Sequence, residues 1–243
     1  MAIGLVADDV EIDETFELVV SSDPMKRAAE ILTEVIARLA REVEVVRLAI
    51  PGGSALDVVP RSRSALGEGW SGVALTWVDE RCVPEKHPDS NRGAAGRLGL
   101  FASKARDEAD SGVPPRGVLE LYCDGETPEA AARRATEALR REFSNAIDVS
   151  LLGMGGDGHI ASIFPEHRHA AGEMVVHVSD SPKPPSDRIT LTRRALETAQ
   201  VSLLVAIGES KREALTRLAR GDPSLPAHGL PGLVVVTDLI LTR

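Results

Sequence analysis

The stretch that most constrains this chain runs from Asp148 to His159, where Val149-Ser150-Leu151-Leu152 leads straight into Gly153-Met154-Gly155-Gly156-Asp157-Gly158-His159. A mostly apolar run without alternation fits a strand covered on both faces, and such strands belong to parallel sheets with helices packed over them. The four glycines that follow let the backbone take positive φ or come close to a ligand, and ligands of open α/β sheets collect at strand ends. Asp157 and His159, two residues apart, supply a candidate base and a group to orient it. Taken alone, the stretch reads equally well as a glycine-rich turn with a capping Asp.

The rest of the chain repeats the same alternation. Asp23-Pro24 opens a helix with Asp as N-cap and Pro in the first turn, and Ala28, Ile31, Leu32, Val35, Ile36 and Leu39 follow at helical spacing. Strand-like runs are expected at 48–50, 73–78, 118–122, 147–152, 174–178, 201–207 and 233–236, and helices at 55–66, 128–143, 192–198 and 209–220. Strand and helix in turn predict a single α/β domain over residues 1–243, with a mainly parallel, Rossmann-like open sheet flanked by helices on both faces. Flexible segments are expected at 106–116 and in the Pro-rich stretch 181–187.

A net charge of -9 over 243 residues argues against a nucleic-acid partner but not against a small anion held by a few local cations. Cys82 and Cys123 show no metal-binding or redox spacing, so a reduced interior is the simplest setting and neither is an evident nucleophile. Residues 1–14 carry five acids and no basic residue, unlike a secretory signal, and no apolar run reaches membrane-spanning length. The expectation is a soluble, cytoplasmic protein with no membrane surface to bind.

Four further places combine polar groups with a strand–helix junction. Pro51-Gly52-Gly53-Ser54 lies between strand and helix and offers backbone N–H groups, a hydroxyl and a positive helix end to an anion such as phosphate. It lacks the Gly-Lys-Ser/Thr of a nucleotide-binding P-loop. At Trp77-Val78-Asp79-Glu80-Arg81, Asp79 or Glu80 could serve as acid or base and Arg81 could bind phosphate or developing negative charge. Arg188 precedes a helix that either Thr190 or Thr192 could cap, and its planar fork suits a phosphate in two-point contact. Lys211, after Gly208-Glu209-Ser210, opposes a helix dipole unless an anion lies nearby. A metal site among His159, Glu166, His167 and His169 is disfavoured, since Pro165 breaks any helix that would align them and Arg168 adds a cation.

In combination these segments resemble the 6-phosphogluconolactonase family, within the superfamily it shares with amino-sugar-6-phosphate isomerases/deaminases. The resemblance runs from Asp23 to about Leu239. It is carried by Pro-Gly-Gly-Ser at 51–54, Trp-x-Asp-Glu-Arg at 77–81, Ser-Asn at 90–91 and Leu-Leu-Gly-Met-Gly-Gly-Asp-Gly-His at 151–159. Ser-Ile-Phe-Pro at 162–165, Asp-Ser-Pro-Lys-Pro-Pro at 180–185, Arg-Ile-Thr-Leu-Thr at 188–192 and Gly-Glu-Ser-Lys at 208–211 complete it. The resemblance implies hydrolysis of 6-phosphoglucono-δ-lactone to 6-phosphogluconate, in the oxidative branch of the pentose phosphate pathway, with no metal or organic cofactor. It places phosphate on Gly52, Gly53, Ser54, Arg188 and Lys211, and Arg81 and Asn91 at the sugar end. His159 would take a proton from the attacking water, with Asp157 holding the water or the ring and Asp79 as the nearby second carboxylate. Which of Asp157 and Asp79 assists His159 stays open, as does a monomeric or dimeric state.

Pro51, Ala55 and Gly156 depart from the family's commoner residues, the second removing a hydroxyl from the phosphate loop. The deaminases carry a Glu five residues after the His to complete a proton relay, and here that position is Phe164. The rival readings are an amino-sugar-6-phosphate isomerase/deaminase and a non-catalytic sugar-phosphate sensor. The sensor would need a DNA-binding segment, for which the acidic stretch before Asp23 leaves no room.

Overall fold

The computed structural model describes residues 16–101, 113–165 and 172–241. Seven strands form a wholly parallel sheet: β1 (Glu17–Val20), β2 (Val46–Ile50), β3 (Val73–Trp77), β5 (Gly117–Leu119), β6 (Val149–Gly153), β9 (Val201–Val205) and β10 (Leu233–Thr237), in the order β1-β10-β9-β6-β2-β3-β5. β4 (Asp79–Arg81), β7 (Val175–Val178) and β8 (Arg188–Leu191) form a separate antiparallel sheet in the order β4-β8-β7. The helices are α1 (Pro24–Leu39), α2 (Val58–Leu66), α3 (Asn91–Arg97), α4 (Pro128–Glu142), α5 (Arg193–Leu196) and α6 (Arg212–Ala219). The expected α/β architecture with a parallel sheet is present, and the antiparallel sheet is an addition to it.

Local chemistry accounts for most element boundaries. The Asp23 carboxylate accepts from Lys26 N at 3.0 Å and caps α1, which buries Ala28, Ile31, Leu32, Ile36 and Leu39. Thr192, not Thr190, caps α5, its hydroxyl accepting from Ala195 N at 3.3 Å, while the buried Thr190 donates to Val78 O at 3.3 Å. The strand expected at 118–122 stops at Leu119, because Glu120 leaves the sheet edge to pair with Arg92 at 3.0 Å and Cys123 N donates to Glu126 at 2.9 Å in the turn beyond. The helix expected at 209–220 begins as a 3-10 turn over Glu209–Lys211, so Lys211 stands just ahead of α6.

The sheet's strand order sets the position of the site. From β2 the chain builds outward through β3 to β5, whereas β6, β9 and β10 build the other way, so the order reverses between β2 and β6. In open α/β sheets the crevice at that reversal is where ligands bind. Registers Ile50↔Trp77 and Gly153↔Val205 bring Pro51, Val78, Met154 and Ala206 out at one edge. Asp148, at the opposite end of β6, is 7% exposed and accepts from Arg47 N at 2.8 Å, which gives it a structural task away from that edge. No helix among the described residues is long and apolar enough to cross a membrane.

Candidate active site

A cleft of about 320 Å³ opens at the carboxyl ends of β2, β3, β6 and β9. Its lining includes Gly52, Gly53 and Ser54 after β2, Asp79 and Arg81 on β4, Gly153 to Gly156 and His159 after β6, and Lys183, Arg188 and Lys211. The Gly52–Ser54 loop, the acid-bearing strand and the glycine turn, far apart in sequence, therefore share one space.

The glycine turn exists to bring His159 back over its own backbone. Gly155 N donates to His159 O at 2.8 Å, and Gly158 N to Gly155 O at 3.0 Å, with Gly158 at φ +88°. A Cβ on Gly155 would overlap both the His159 ring and the Asp157 carboxylate, so only glycine permits this closure. Within it, His159 Nδ1 and Asp157 Oδ1 lie 2.6 Å apart. The carboxylate has no proton to give at neutral pH, so Nδ1 carries the hydrogen and Nε2 keeps its lone pair. Burial lowers the His159 pKa below the ordinary imidazole value of 6.5, only partly offset by Asp157. Burial also pushes the Asp157 carboxyl up, but the ring and Lys183 outweigh it and its pKa falls below the usual carboxylate value. The ring of Phe164 packs on His159 with centroids 4.7 Å apart, so an apolar side chain fills the place of a second relay carboxylate.

The neighbouring acids Asp79 and Glu80 part company because successive side chains on a strand face opposite ways. Asp79, 5% exposed, faces the cleft: its carboxylate accepts from Ser162 Oγ at 2.7 Å and lies 3.6 Å from Arg188 and 4.0 Å from Arg81. Glu80 faces away and accepts from the backbone N–H groups of Arg81, Asn91 and Arg92 at 2.7, 2.8 and 2.6 Å, sealing the start of α3. Burial raises its pKa against those three bonds. The choice between them as cleft acid thus goes to Asp79.

Asn91 does not line the cleft. Its amide donates to Asp79 O at 2.9 Å and packs so closely behind Gly52 that a Cβ on that glycine would overlap it. It packs behind the Gly52–Gly53 loop and the Asp79 strand. Arg188 is 3% exposed, and its guanidinium donates to Pro185 O at 3.1 Å, Lys183 O at 2.9 Å and Ser162 Oγ at 3.4 Å. A guanidinium has five N–H donors, so part of the fork remains for a ligand.

Lys183 and Ser162 were not singled out from sequence. Both stood within family segments, but nothing in composition or periodicity shows that the 181–187 stretch folds over His159. Cys82 and Cys123 are free, and burial pushes their thiols up to about 12 and about 11, which leaves them without nucleophilic character. Among the described residues no group of three His, Cys, Asp or Glu is gathered to hold a metal. Glu166, His167 and His169 lie outside those residues, as do residues 1–14 and most of the stretch 106–116 expected to be flexible.

Residues 21–236 match the family described as glucosamine-6-phosphate isomerases/6-phosphogluconolactonase. Among curated relatives, the 6-phosphogluconolactonase of Mycobacterium leprae is 34% identical over 239 residues, covering 92% of each chain. The chloroplastic 6-phosphogluconolactonase 3 of Arabidopsis thaliana is 35% identical over 174 residues, which is 66% of this chain, and the chain spans 51% of that relative's length. The crystal structure of 6-phosphogluconolactonase from Thermotoga maritima superposes with a TM-score of 0.76 at 25% identity, covering 91% of this chain and 97% of that one. The chain belongs to the family of glucosamine-6-phosphate isomerases and 6-phosphogluconolactonases.

Proposed function

We propose that this protein is a 6-phosphogluconolactonase, hydrolysing 6-phosphoglucono-1,5-lactone to 6-phosphogluconate with a water activated by His159. The observation that carries the reading is the His159–Asp157 pair, whose geometry leaves Nε2 as a base in the same cleft as an anion-binding loop. In the reaction, water attacks the lactone carbonyl carbon while Nε2 takes its proton. The carbonyl oxygen becomes an oxyanion, met by the Arg81 guanidinium on β4. When the bond to the ring oxygen breaks, the imidazolium returns its proton to that oxygen, and the new acid ionises to the carboxylate. The phosphate rests on the backbone amides of Gly52 and Gly53, the Ser54 hydroxyl, Lys211 and the free part of the Arg188 fork. Asp79 lies between the two guanidinium groups, 3.6 Å from Arg188 and 4.0 Å from Arg81.

Two features favour hydrolysis over amino-sugar isomerisation. Phe164 lies against His159 where the relay of the deaminases would need a carboxylate, and the relatives above carry the lactonase name. The test offers both substrates to the purified protein. Freshly generated lactone should release protons faster than its spontaneous hydrolysis, and glucosamine 6-phosphate should release no ammonia. Ammonia without lactone turnover would replace this reading with the deaminase one.

A further inference from the structure

Lys183 lines the cleft on the Nδ1 side of the His159 ring. Its Nζ lies 3.5 Å from Asp157 Oδ1 and 3.4 Å from His159 Nδ1, so an ammonium and an imidazole N–H converge on one carboxylate oxygen. An ammonium has no lone pair and cannot accept from Nδ1, so its attraction is for the carboxylate and its effect on the ring is that of a like charge once the ring is protonated. The segment that carries it is firmly held. Arg188 donates to both Lys183 O and Pro185 O, Ser181 Oγ donates to Lys183 O at 2.9 Å, and Ser181 N donates to Ser186 O at 3.2 Å. At its far end Asp187 meets His177 Nε2 at 2.8 Å and accepts through its backbone from Cys82 N at 3.0 Å.

We propose that Lys183 completes the hydrolytic pair as a positioning residue, its ammonium holding the Asp157 carboxylate on Nδ1 and so keeping Nε2 as the open nitrogen of the ring. Arg188 then has a second task besides any ligand contact, since it pins the backbone from which Lys183 reaches across. The charged groups facing His159 are Asp157 on its own turn, Lys183 from the segment before β8 and Asp79 from β4, with Arg81, Arg188 and Lys211 lining the rest of the cleft. Of these, Asp157 and Asp79 favour the imidazolium and Lys183 opposes it.

The inference rests on the lactonase reading for its kinetic consequence but not for its structural one, so the test has two arms. Histidine-selective NMR of the whole chain follows the tautomer and titration midpoint of His159 in the wild type, Lys183→Met and Lys183→Arg. The midpoint should rise in Lys183→Met, the Nδ1-protonated tautomer should lose population, and Lys183→Arg should stay near the wild type. In the kinetic arm, kcat/KM of Lys183→Met should fall about tenfold at pH 6 and less than about threefold at pH 8, because the more basic ring is protonated at the lower pH. An unmoved midpoint and tautomer in folded Lys183→Met, or an equal loss at both pH values, would overturn the proposal. A shifted midpoint in a protein that hydrolyses no lactone would uphold it and discard the lactonase reading instead.

Discussion

The two sheets contribute to the cleft in different currencies. The seven-stranded parallel sheet supplies mostly backbone: the Gly52–Gly53 loop after β2 and the glycine turn after β6, with Asp157, His159 and Lys211 as its reactive side chains. The three-stranded antiparallel sheet supplies side chains: Asp79 and Arg81 from β4, Arg188 from β8, and Lys183 on the segment leading into β8. One region builds a shape that any sequence with glycines at those places could adopt, and the other fills it with charge. Chemistry should therefore fail most severely when the first is altered at His159, whereas changes in the second should divide among oxyanion stabilisation at Arg81, positioning at Lys183, ligand affinity at Arg188 and stability at Glu80.

The largest expected effect is on the parallel-sheet side. His159→Gln should lower kcat by ~10²–10⁴ while leaving the fold intact, because a positioned general base contributes on that order. Because burial lowers the His159 pKa, the wild-type ring stays neutral, and kcat/KM should hold its plateau, at pH values where a free imidazole is already protonated. Steady-state rates across pH check both points, and a folded Gln variant with wild-type kcat would end the comparison as drawn.

Next come the neighbouring acids on β4. Glu80→Ala strands three backbone N–H groups, those of Asn91 and Arg92 at the start of α3 and that of Arg81 on β4, and should cost roughly 3 kcal/mol or more, since each buried unpaired donor costs about 1–3. Asp79→Asn should show the opposite balance, with a smaller loss of stability and a larger loss of kcat/KM. Thermal melts and kinetics on the two variants separate the cases, and identical behaviour would deny that the strand's alternation divides their roles.

A smaller effect is expected at the proposed phosphate contacts. Lys211→Ala and Arg188→Lys should each raise KM about tenfold with kcat changed less, as expected for contacts made equally in ground and transition states. Arg188→Lys also loses the fork that holds Lys183 O and Pro185 O, so its deficit should exceed that of Lys211→Arg. Equal activity on a lactone without phosphate would contradict the site. The smallest effect is none at all: protein dialysed against chelator, with residual metal measured, should keep its kcat, because the proposed reaction activates its water with an imidazole.

The same division explains what the amino-acid sequence reveals. Parallel strands with both faces covered announce themselves as apolar runs, and β2, β3, β6, β9 and β10 all do so. Glycines mark both loops for a conformational reason visible without coordinates. The antiparallel sheet is harder to read, because β4 is three charged residues long and β8 opens on a buried arginine, so neither shows a period. α3 carries two glycines in seven residues and is hidden for the same reason. Asp79 and Glu80 look alike until the pleat turns them apart, and Lys183 acquires a partner only when Arg188 folds its segment over the cleft.

The central claim is that both sheets grip one molecule, and a crystal structure with the product 6-phosphogluconate bound tests it most directly. The phosphate should lie on the Gly52 and Gly53 amides, the Ser54 hydroxyl, Lys211 and Arg188, with the new carboxylate within hydrogen-bonding distance of His159 Nε2 and Arg81. A sugar phosphate bound the other way round, with its phosphate against His159 and Lys183, would contradict the account.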